Sequence, residues 1–436
     1  MESENVKIVT ILVSLPMFLT IFTPMIASDR IFSSSVMDYF AKNFAKKIWY
    51  IKASSPYDYG FKVGKLFRLP YFLLEKINSL NRKNTHASEE SFEEQIKNME
   101  TYSPLLLEEL KGLSAGLNIK MKKLMTLCHV FDSLTGKQCT VTLSTGNATK
   151  NHDTFLTFNV DTEVDDYFKI LFLLFLRAFT YKIWVADITS MDYKYAFIGI
   201  PILYEWPIIN EEGLSFAATG LILTDNKSRY IDEGPGMSTY MLERLTMMTC
   251  KNVSEVAELW KRTERASGTY SKWPHFWDNS MPVWCDREGG ILSIEQTHNY
   301  IITVFGNSTE ITGAPEGILW HANHHQWLNP NLTGSIQPQE YISSMYRADR
   351  AYDLLIENYG NITLDVCKNI TRDYQGGSKK DSGDSRDICK YPDKEEPGIT
   401  AFAWIIHPQD YSVYLTHTIP SNSKYTKYDF SEIFSK

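Results

Sequence analysis

The period of the hydrophobic pattern changes close to residue 138, and this change limits the folds open to the chain. Before it, apolar residues recur at helical spacing, most clearly at Leu106, Leu110, Leu113 and Leu117. After it, CTVTLS and TFLTFNVD alternate between apolar and polar residues, as strands do, and Gly146-Asn147 supplies a turn between them. The chain therefore predicts a helical segment followed by a β-hairpin.

Strand-like and helix-like segments alternate through the rest of the chain. Alternation or β-branched runs predict strands near residues 196–200, 214–223, 300–305, 401–406 and 411–416. Helical spacing predicts helices over residues 238–248, 254–262 and 341–359, with Ser254 as an N-cap. Residues 375–397 show no period and few apolar positions, so we expect a flexible, exposed insert. The pattern predicts an α+β protein with antiparallel sheet and helices in separate runs.

Composition excludes several classes of protein. With 43% apolar and 22% charged residues, the chain is neither disordered nor collagen-like. Its 436 residues fit two or three domains, or one large domain with insertions. The net charge is −8 and no block of Lys and Arg stands out, which argues against a nucleic-acid partner.

The first 28 residues predict export. Residues 8–28 form an uncharged apolar run ending in MIAS, small residues of the kind that precede a signal-peptidase cut. The alternative is an uncleaved membrane anchor, because a run of this length can span a bilayer. Pro16 and Pro24 favour the signal peptide over a stable spanning helix.

Seven N-x-[ST] sequons agree with export and predict surface glycosylation sites at Asn147, Asn226, Asn252, Asn307, Asn331, Asn361 and Asn369. The six cysteines are too few for a disulfide scaffold, and none forms a C-x-x-C zinc pattern. The sequence allows one or two disulfide bridges, and Cys367 with Cys389 is our candidate pair.

Cys139 begins the first strand of the hairpin, directly after the helical segment. Read alone, it would be a small buried residue at the start of a strand. Short motifs elsewhere change that reading, and they follow in this order: SPYDYG (55–60), EELKGLSAG (108–116), Cys139-Thr140, FNVD (158–161), NEEGL (210–214), HANH (321–324), SMYRADR (344–350) and DICK (387–390). This series resembles the isopenicillin-N acyltransferase-like family of N-terminal-nucleophile cysteine hydrolases.

The resemblance implies an αββα four-layer sandwich of the N-terminal-nucleophile hydrolase type, made as a precursor that cuts itself between Gln138 and Cys139. The implied organisation is a signal peptide (1–28), a helical leader that is a propeptide or small subunit (29–138), and a hydrolase domain (139–436). The two self-cleaved fragments would then associate.

The resemblance also implies roles for individual residues. Cys139 would be the nucleophile, and its freed α-amine would be the base. Asp161 would orient that amine, and Asn323 would donate to the oxyanion. Asn210 and Lys390 would contact the substrate, with no metal and no cofactor. Without the resemblance, Asp161 fits a turn at the end of a strand equally well, and Asn323 fits a turn residue in a polar loop better.

Two positions depart from the family. Gln138 precedes the nucleophile where the family commonly has Gly, whose conformational freedom eases the strained geometry of self-cleavage. Lys390 stands where the family usually has Arg, and Lys offers a point charge in place of a planar fork, which bears on substrate preference.

Two other clusters have competing interpretations. His321, His324 and His325 contain the ligand type that zinc prefers, but the carboxylate or thiolate partners at zinc-site spacing are missing. Aromatic residues over 270–284 would form either a lid over an acyl group or part of the core, and the core is the stronger expectation.

The sequence thus predicts a secreted or lysosomal self-processing cysteine amidohydrolase or acyltransferase that acts on a small N-acyl amide or acyl thioester through an acyl-thioester. One alternative is an acid-ceramidase-like lipid amidase. The other is a non-catalytic exported glycoprotein with the same fold, which Gln138 and Lys390 keep open.

Overall fold

The computed structural model describes residues 48–80, 89–125, 138–163, 183–221, 232, 234–267, 280–333, 342–374, 387–390 and 398–435. The predicted signal peptide, Asn226 and the aromatic residues at 270–279 lie outside these ranges. Within them, no helix combines the length and the apolar character needed to cross a bilayer.

The described strands are β1 (Trp49–Ala53), β2 (Gln138–Gly146), β3 (His152–Glu163), β4 (Ile183–Ile188), β5 (Tyr195–Ile200), β6 (Tyr204–Asn210), β7 (Ser215–Gly220), β8 (Ser280–Cys285), β9 (Ile291–Gln296), β10 (Ile301–Phe305), β11 (Ile318–His321), β12 (Gly398–His407), β13 (Ser412–Leu415) and β14 (Thr426–Asp429).

The described α-helices are α1 (Pro56–Leu80), α2 (Glu89–Tyr102), α3 (Pro104–Leu117), α4 (Thr239–Thr249), α5 (Val253–Arg262), α6 (Thr309–Thr312), α7 (Pro330–Thr333), α8 (Ile342–Glu357), α9 (Leu364–Thr371) and α10 (Ser431–Phe434). Two 3-10 turns lie at Pro408–Asp410 and Pro420–Asn422.

The strands form an eight-stranded sheet, in the order β1-β4-β5-β6-β7-β8-β9-β10, and a six-stranded sheet, in the order β11-β2-β3-β12-β13-β14. The α+β prediction is confirmed. The prediction of purely antiparallel sheet is wrong at one edge, where β1 pairs in parallel with β4. Because β1 precedes residue 138, the leader is also not entirely helical.

Apolar side chains form three buried clusters. The first joins residues of both sheets, including Val141 and Phe158 from the six-stranded sheet and Val185 and Val283 from the eight-stranded one. The second joins α1, α3, α4 and α5 to the eight-stranded sheet. The third joins α8 and α9 to the six-stranded sheet. The two sheets therefore pack against each other, and each also packs against helices.

Glycines allow α1 and α3 to cross at backbone contact. A Cβ on Gly60 would lie 1.9 Å from the Glu109 carbonyl oxygen, and one on Gly112 would lie 2.0 Å from the Tyr57 carbonyl oxygen. Helix propensity alone predicts that Gly112 weakens α3. The close crossing explains why a residue without a side chain is needed there.

A buried charged cluster ties the leader to the rest of the chain. The Arg244 guanidinium on α4 donates to Glu109 at 2.6 and 2.9 Å and to Glu205 at 2.8 Å. The Tyr59 hydroxyl donates to Glu205 at 3.0 Å, and the Tyr195 hydroxyl donates to the same carboxylate. Both Tyr59 and Glu109 belong to the leader, so its helices are fixed by ionic as well as apolar contacts.

The starts of α4 and α5 show which side chains cap these helices. Helix α4 begins directly after Ser238, whose side chain accepts from the Met241 nitrogen. The prediction of Ser254 as the cap of the next helix is wrong, because Asn252 takes that role and accepts from the Glu255 nitrogen. Both residue types cap helices well, so residue type alone does not distinguish Asn252 from Ser254.

Two predictions about residues 367–390 are corrected. Cys367 and Cys389 are free thiols, so the predicted bridge is wrong; the Cys389 sulfur lies 3.4 Å from Ser421 Oγ. The insert predicted over 375–397 is not exposed at residues 387–390, which are all buried. Asn159 holds this segment in place, since its amide donates to the Thr371 and Ile388 carbonyl oxygens.

Candidate active site

Cys139 lies near the start of β2, and its side chain belongs to the cluster between the two sheets. It is fully buried, at 0% exposure. The hairpin register places Cys139 opposite Val160 and Gln138 opposite Asp161. The backbone of Asp161 is therefore directly across from the residue that precedes the proposed nucleophile.

The backbone of Cys139 is held on both sides by buried side chains. Its nitrogen donates to Asn323 Oδ1 at 2.8 Å. Its carbonyl oxygen accepts a hydrogen bond from Arg347 on α8. Arg347 also donates to Thr140 Oγ1 at 3.0 Å and to Asn323 Oδ1 at 2.8 Å. Cys139, Asn323 and Arg347 thus form one connected group.

Asn323 is itself fixed by further contacts. Its Nδ2 donates to the Gly220 carbonyl oxygen at 2.7 Å, and its backbone nitrogen donates to Ser344 Oγ at 2.6 Å. The same serine hydroxyl lies 2.8 Å from His324 Nδ1. Burial lowers the pKa of His324 to about 3, so this imidazole is neutral near pH 7. Ser344 therefore supports the site through neutral hydrogen bonds.

The Cys139 thiol is not activated in the intact chain. Burial, and next the charge of Asp161, raises the pKa of the thiol to about 12. Arg347 and the backbone N–H groups of Asp161 and Gly220 oppose this shift without cancelling it. At neutral pH the sulfur therefore carries its proton, and a nearby base is needed to remove it.

Asp161 and Lys390 are both buried, and the charge of Lys390 acts on the Asp161 carboxyl. Asp161 Oδ1 accepts from Thr400 Oγ1 at 2.6 Å, and Oδ2 has no hydrogen-bond partner among the described residues. Burial raises the pKa of this carboxyl, while the charges of Lys390 and Arg347 oppose the shift. Lys390 Nζ donates to Ser343 Oγ at 3.2 Å.

Asn210 lies in a different environment. Its amide nitrogen donates to the Met247 and Cys250 carbonyl oxygens, and its Oδ1 accepts from the nitrogens of Glu212 and Leu214. These contacts close the turn after β6 and fix it to the end of α4. The described hydrogen bonds give Asn210 a structural role and do not join it to Cys139.

The histidine cluster does not form a metal centre within the described ranges, where no group of three or more His, Cys, Asp or Glu side chains is placed to hold an ion. His321 Nε2 lies 2.8 Å from Glu295 Oε1 inside the protein. Burial lowers the pKa of His325 to about 4. Trp284, from the aromatic patch, is fully buried in the core.

The sequons in the described part of the chain are at or near the surface. Asn252 is half-buried as a helix cap, and the exposed ones are Asn147, Asn307, Asn331, Asn361 and Asn369. These exposed five all have threonine at the third position.

Sequence reasoning missed several residues that contact the site. Arg347 belongs to the SMYRADR motif, which indicates no role for it, and Thr400, Gly220 and Ser343 carry no sequence signal. Thr400 is unremarkable in sequence, because threonine is common at the start of a strand. Only its pairing with Asp161 across β3 and β12 shows its role.

The comparisons with known proteins leave the family open. No family model matches the chain, and no curated protein matches it. Among solved structures, a mutant of the conjugated bile acid hydrolase from Clostridium perfringens is similar at 14% identity and a TM-score of 0.40, over 67% of this chain and 93% of that one.

Penicillin V acylase from Agrobacterium tumefaciens is similar at 11% identity and a TM-score of 0.41, over 67% of this chain and 87% of that one. A second variant of the bile acid hydrolase reaches 12% identity and a TM-score of 0.34, over 68% of this chain and 85% of that one. Similarity at this level identifies neither a family nor a substrate.

Proposed function

We propose that this chain is a cysteine amidohydrolase or acyltransferase that cuts its own backbone between Gln138 and Cys139. The observation that carries the proposal is the 2.8 Å hydrogen bond from the Cys139 nitrogen to Asn323 Oδ1. Cleavage would turn that same nitrogen into the amine base, already bound to a fixed acceptor. Asp161, opposite Gln138 in the hairpin, would be the second group beside this amine.

Self-cleavage would need only the chain and water. The Cys139 sulfur adds to the Gln138 carbonyl carbon, the C–N bond breaks, and the Cys139 nitrogen takes the thiol proton. Water then hydrolyses the thioester, which releases the Gln138 carboxylate and restores the thiol. Arg347, bound to the Cys139 carbonyl oxygen, would keep the peptide in place during the first step.

Turnover would use the same residues on an added substrate. The freed amine takes the thiol proton, and the thiolate attacks an amide carbonyl carbon. The amine product leaves with that proton, and water or an amine acceptor resolves the acyl-thioester. Asn323 Nδ2 carries two N–H groups, and one donates to Gly220. The other is the donor that oxyanion stabilisation requires.

The layer order supports a fold of the N-terminal-nucleophile hydrolase type. The three apolar clusters are consistent with an order of helices, sheet, sheet and helices, with the nucleophile at a strand end between the sheets. Lys390 is buried beside Asp161, where a positive charge would favour a substrate with an acidic or strongly polar group.

The leader would remain as a small subunit after cleavage. It supplies β1 to the eight-stranded sheet and Glu109 to the Arg244 cluster. Removing it would leave a buried arginine with one fewer carboxylate, which is strongly unfavourable. The five exposed sequons support passage through the secretory pathway, to a secreted or lysosomal location.

A non-catalytic glycoprotein is the second candidate. It is favoured by the full burial of the Cys139 thiol and by its pKa of about 12. A buried thiol that keeps its proton near neutral pH is a poor nucleophile toward an added substrate.

The deciding experiment is a denaturing gel of the purified, deglycosylated protein with N-terminal sequencing of each band. Wild type should yield a fragment beginning Cys139-Thr140, and Cys139→Ala should remain intact. Cys285→Ala, which removes another buried thiol from the same cluster, should be cut like wild type. A single intact band in all three would contradict self-cleavage and favour the non-catalytic candidate. A cysteine-directed fluorescent amide inhibitor, compared on wild type and Cys139→Ala, then tests for catalysis.

A further inference from the structure

Glu295 on β9 is a fully buried carboxylate that binds one loop from several directions. His321 Nε2 lies 2.8 Å from Oε1. The backbone nitrogens of Gln326, Trp327 and Leu328 donate to the same carboxylate, at 2.7, 3.0 and 2.5 Å. Three consecutive N–H groups directed at one carboxylate form an anion-binding arrangement of the backbone.

The loop held in this way carries Asn323. It spans residues 322–329 between β11 and α7, has no regular secondary structure, and is called here the Asn323 loop. Glu295 is contacted by His321 at the end of β11, two positions before Asn323, and by Gln326 in the loop, three positions after it. Both flanks of Asn323 are therefore attached to a strand of the eight-stranded sheet, while its side chain reaches Cys139 in the six-stranded one.

Glu295 and the Asn323 loop each need the hydrogen bonds that the other provides. A buried carboxylate without hydrogen-bond donors is strongly unfavourable, and the backbone N–H groups of an irregular buried loop also need acceptors. Burial alone would raise the pKa of Glu295, but the hydrogen bond and charge of His321 and the Leu328 nitrogen lower it below its usual range. The carboxylate is thus charged, and the loop takes the conformation that solvates it.

His321 extends the connection to the other side of Asn323. Its Nδ1 lies 3.1 Å from the Ala322 carbonyl oxygen and 3.4 Å from Thr219 Oγ1. Thr219 precedes Gly220, whose carbonyl oxygen accepts from Asn323 Nδ2. The imidazole therefore lies between Glu295 and the strand that binds the Asn323 amide.

We propose that Glu295 is a positioning residue, which fixes the Asn323 loop so that Asn323 stays bonded to the nitrogen of Cys139. The inference rests on the proposed function, because it assigns Glu295 to the self-cleavage and hydrolysis steps at Cys139. Glu295 touches neither the sulfur nor a substrate and acts only through Asn323.

The test compares Glu295→Gln with Glu243→Gln in the full chain, near pH 6.5. Both glutamates are fully buried, but Glu243 has a pKa raised by burial to about 8 and is neutral under these conditions. Glutamine at 295 keeps one oxygen as an acceptor, but its amide N–H groups would face the backbone N–H groups of the loop, which are also donors. We expect self-cleavage to slow about 10- to 100-fold, since small misplacements of a reacting group have effects of that size. Glu243→Gln should cut at the wild-type rate.

Steady-state kinetics on a fluorogenic N-acyl aminocoumarin amide separate positioning from general damage. Glu295→Gln should lower kcat with little change in KM, because the group that it displaces acts on the reacting centre. Adding Glu295→Gln to Asn323→Ala should lower kcat no further, because Glu295 acts through Asn323 and that side chain is already removed. A wild-type rate in Glu295→Gln, or an additive loss in the double variant, would overturn the proposal.

Hydrogen exchange gives a measurement that does not need activity. The amides of Gln326, Trp327 and Leu328 should exchange faster in Glu295→Gln and as in wild type in Glu243→Gln. If wild type neither cuts itself nor hydrolyses the amide, the proposed function is wrong. Unchanged exchange of these three amides in Glu295→Gln would separately show that Glu295 does not fix the Asn323 loop. If Glu295→Gln does not fold, Glu295→Asp, which keeps the charge one methylene further back, takes the same tests.

Discussion

Asn323 Oδ1 accepts a hydrogen bond of 2.8 Å from the backbone nitrogen of Cys139, although 184 positions separate the two residues. The same oxygen accepts from Arg347, which also donates to the Cys139 carbonyl oxygen. The residue proposed as nucleophile is thereby held at its nitrogen and at its carbonyl by side chains from a loop and from α8. Each of these contacts has a measurable consequence.

Arg347→Lys should slow the appearance of the fragment that begins at Cys139 by at least about 10-fold. Lysine keeps the charge but cannot reach the Cys139 carbonyl, Thr140 and Asn323 at once, because it lacks the planar fork. The rate is read from a time course on a denaturing gel. Arg350→Lys is the matched control, since Arg350 lies one turn later on α8 and pairs with Asp373. Equal rates for both variants would refute the role of Arg347.

Gly112→Ala should destabilise the protein by more than about 1 kcal/mol, although alanine favours helix formation. Its Cβ would lie 2.0 Å from the Tyr57 carbonyl oxygen, so α1 and α3 must separate. Lys111→Ala changes the exposed neighbour and should have little effect. Thermal unfolding of both variants measures the difference. A higher melting temperature for Gly112→Ala would show that the helix propensity of alanine outweighs its steric clash with α1.

Glu243→Gln should change how stability depends on pH. Burial raises the pKa of Glu243 to about 8, from 4.5 for the free group. Between these values the folded protein binds more protons than the unfolded chain, so the free energy of unfolding of wild type falls as pH rises. The variant lacks this group, so its free energy of unfolding relative to wild type should rise from about pH 4.5 to about pH 8 and then stay constant. The expected total rise is several kcal/mol, at about 1.4 kcal/mol per pKa unit. Denaturant curves at a series of pH values would show parallel profiles if Glu243 does not titrate in this way.

Asn252→Asp and Asn252→Ala separate the capping role of Asn252 from its sequon. The Asn252 side chain accepts from the Glu255 nitrogen at 3.0 Å, and aspartate can do the same. In unglycosylated protein, we expect the alanine variant to lose about 1 kcal/mol of stability and the aspartate variant to lose much less. Equal stability of the two variants in chemical denaturation would exclude the cap.

Local patterns predicted the parts of the fold that depend on neighbouring residues. The alternation around Cys139 predicted the β2–β3 hairpin, and the start of α4 follows from Ser238. The Asn252 cap was missed because two good capping residues lie two positions apart. The parallel β1–β4 pair was missed because a single short strand in a helical leader has no sequence signal for its partner.

The candidate site was predicted only in part, and the difference lies in sequence distance. Cys139, Asp161, Asn323 and Lys390 could be named because each belongs to a short motif. Their supporting residues could not, because Thr400 and Glu295 lie in strands whose pairing is decided by the whole sheet. Asn210 also belonged to a motif, but the structure uses it to close a turn.

The sequence by itself determined the α+β class, the hairpin and the location of a cysteine at the start of a strand, because these follow from spacing along a local stretch of chain. Only the tertiary structure decided which donors and acceptors meet Cys139, how close α1 and α3 approach, and which buried carboxylates are charged. These properties depend on residues that are distant in sequence, and on the burial that makes each unpaired polar group costly.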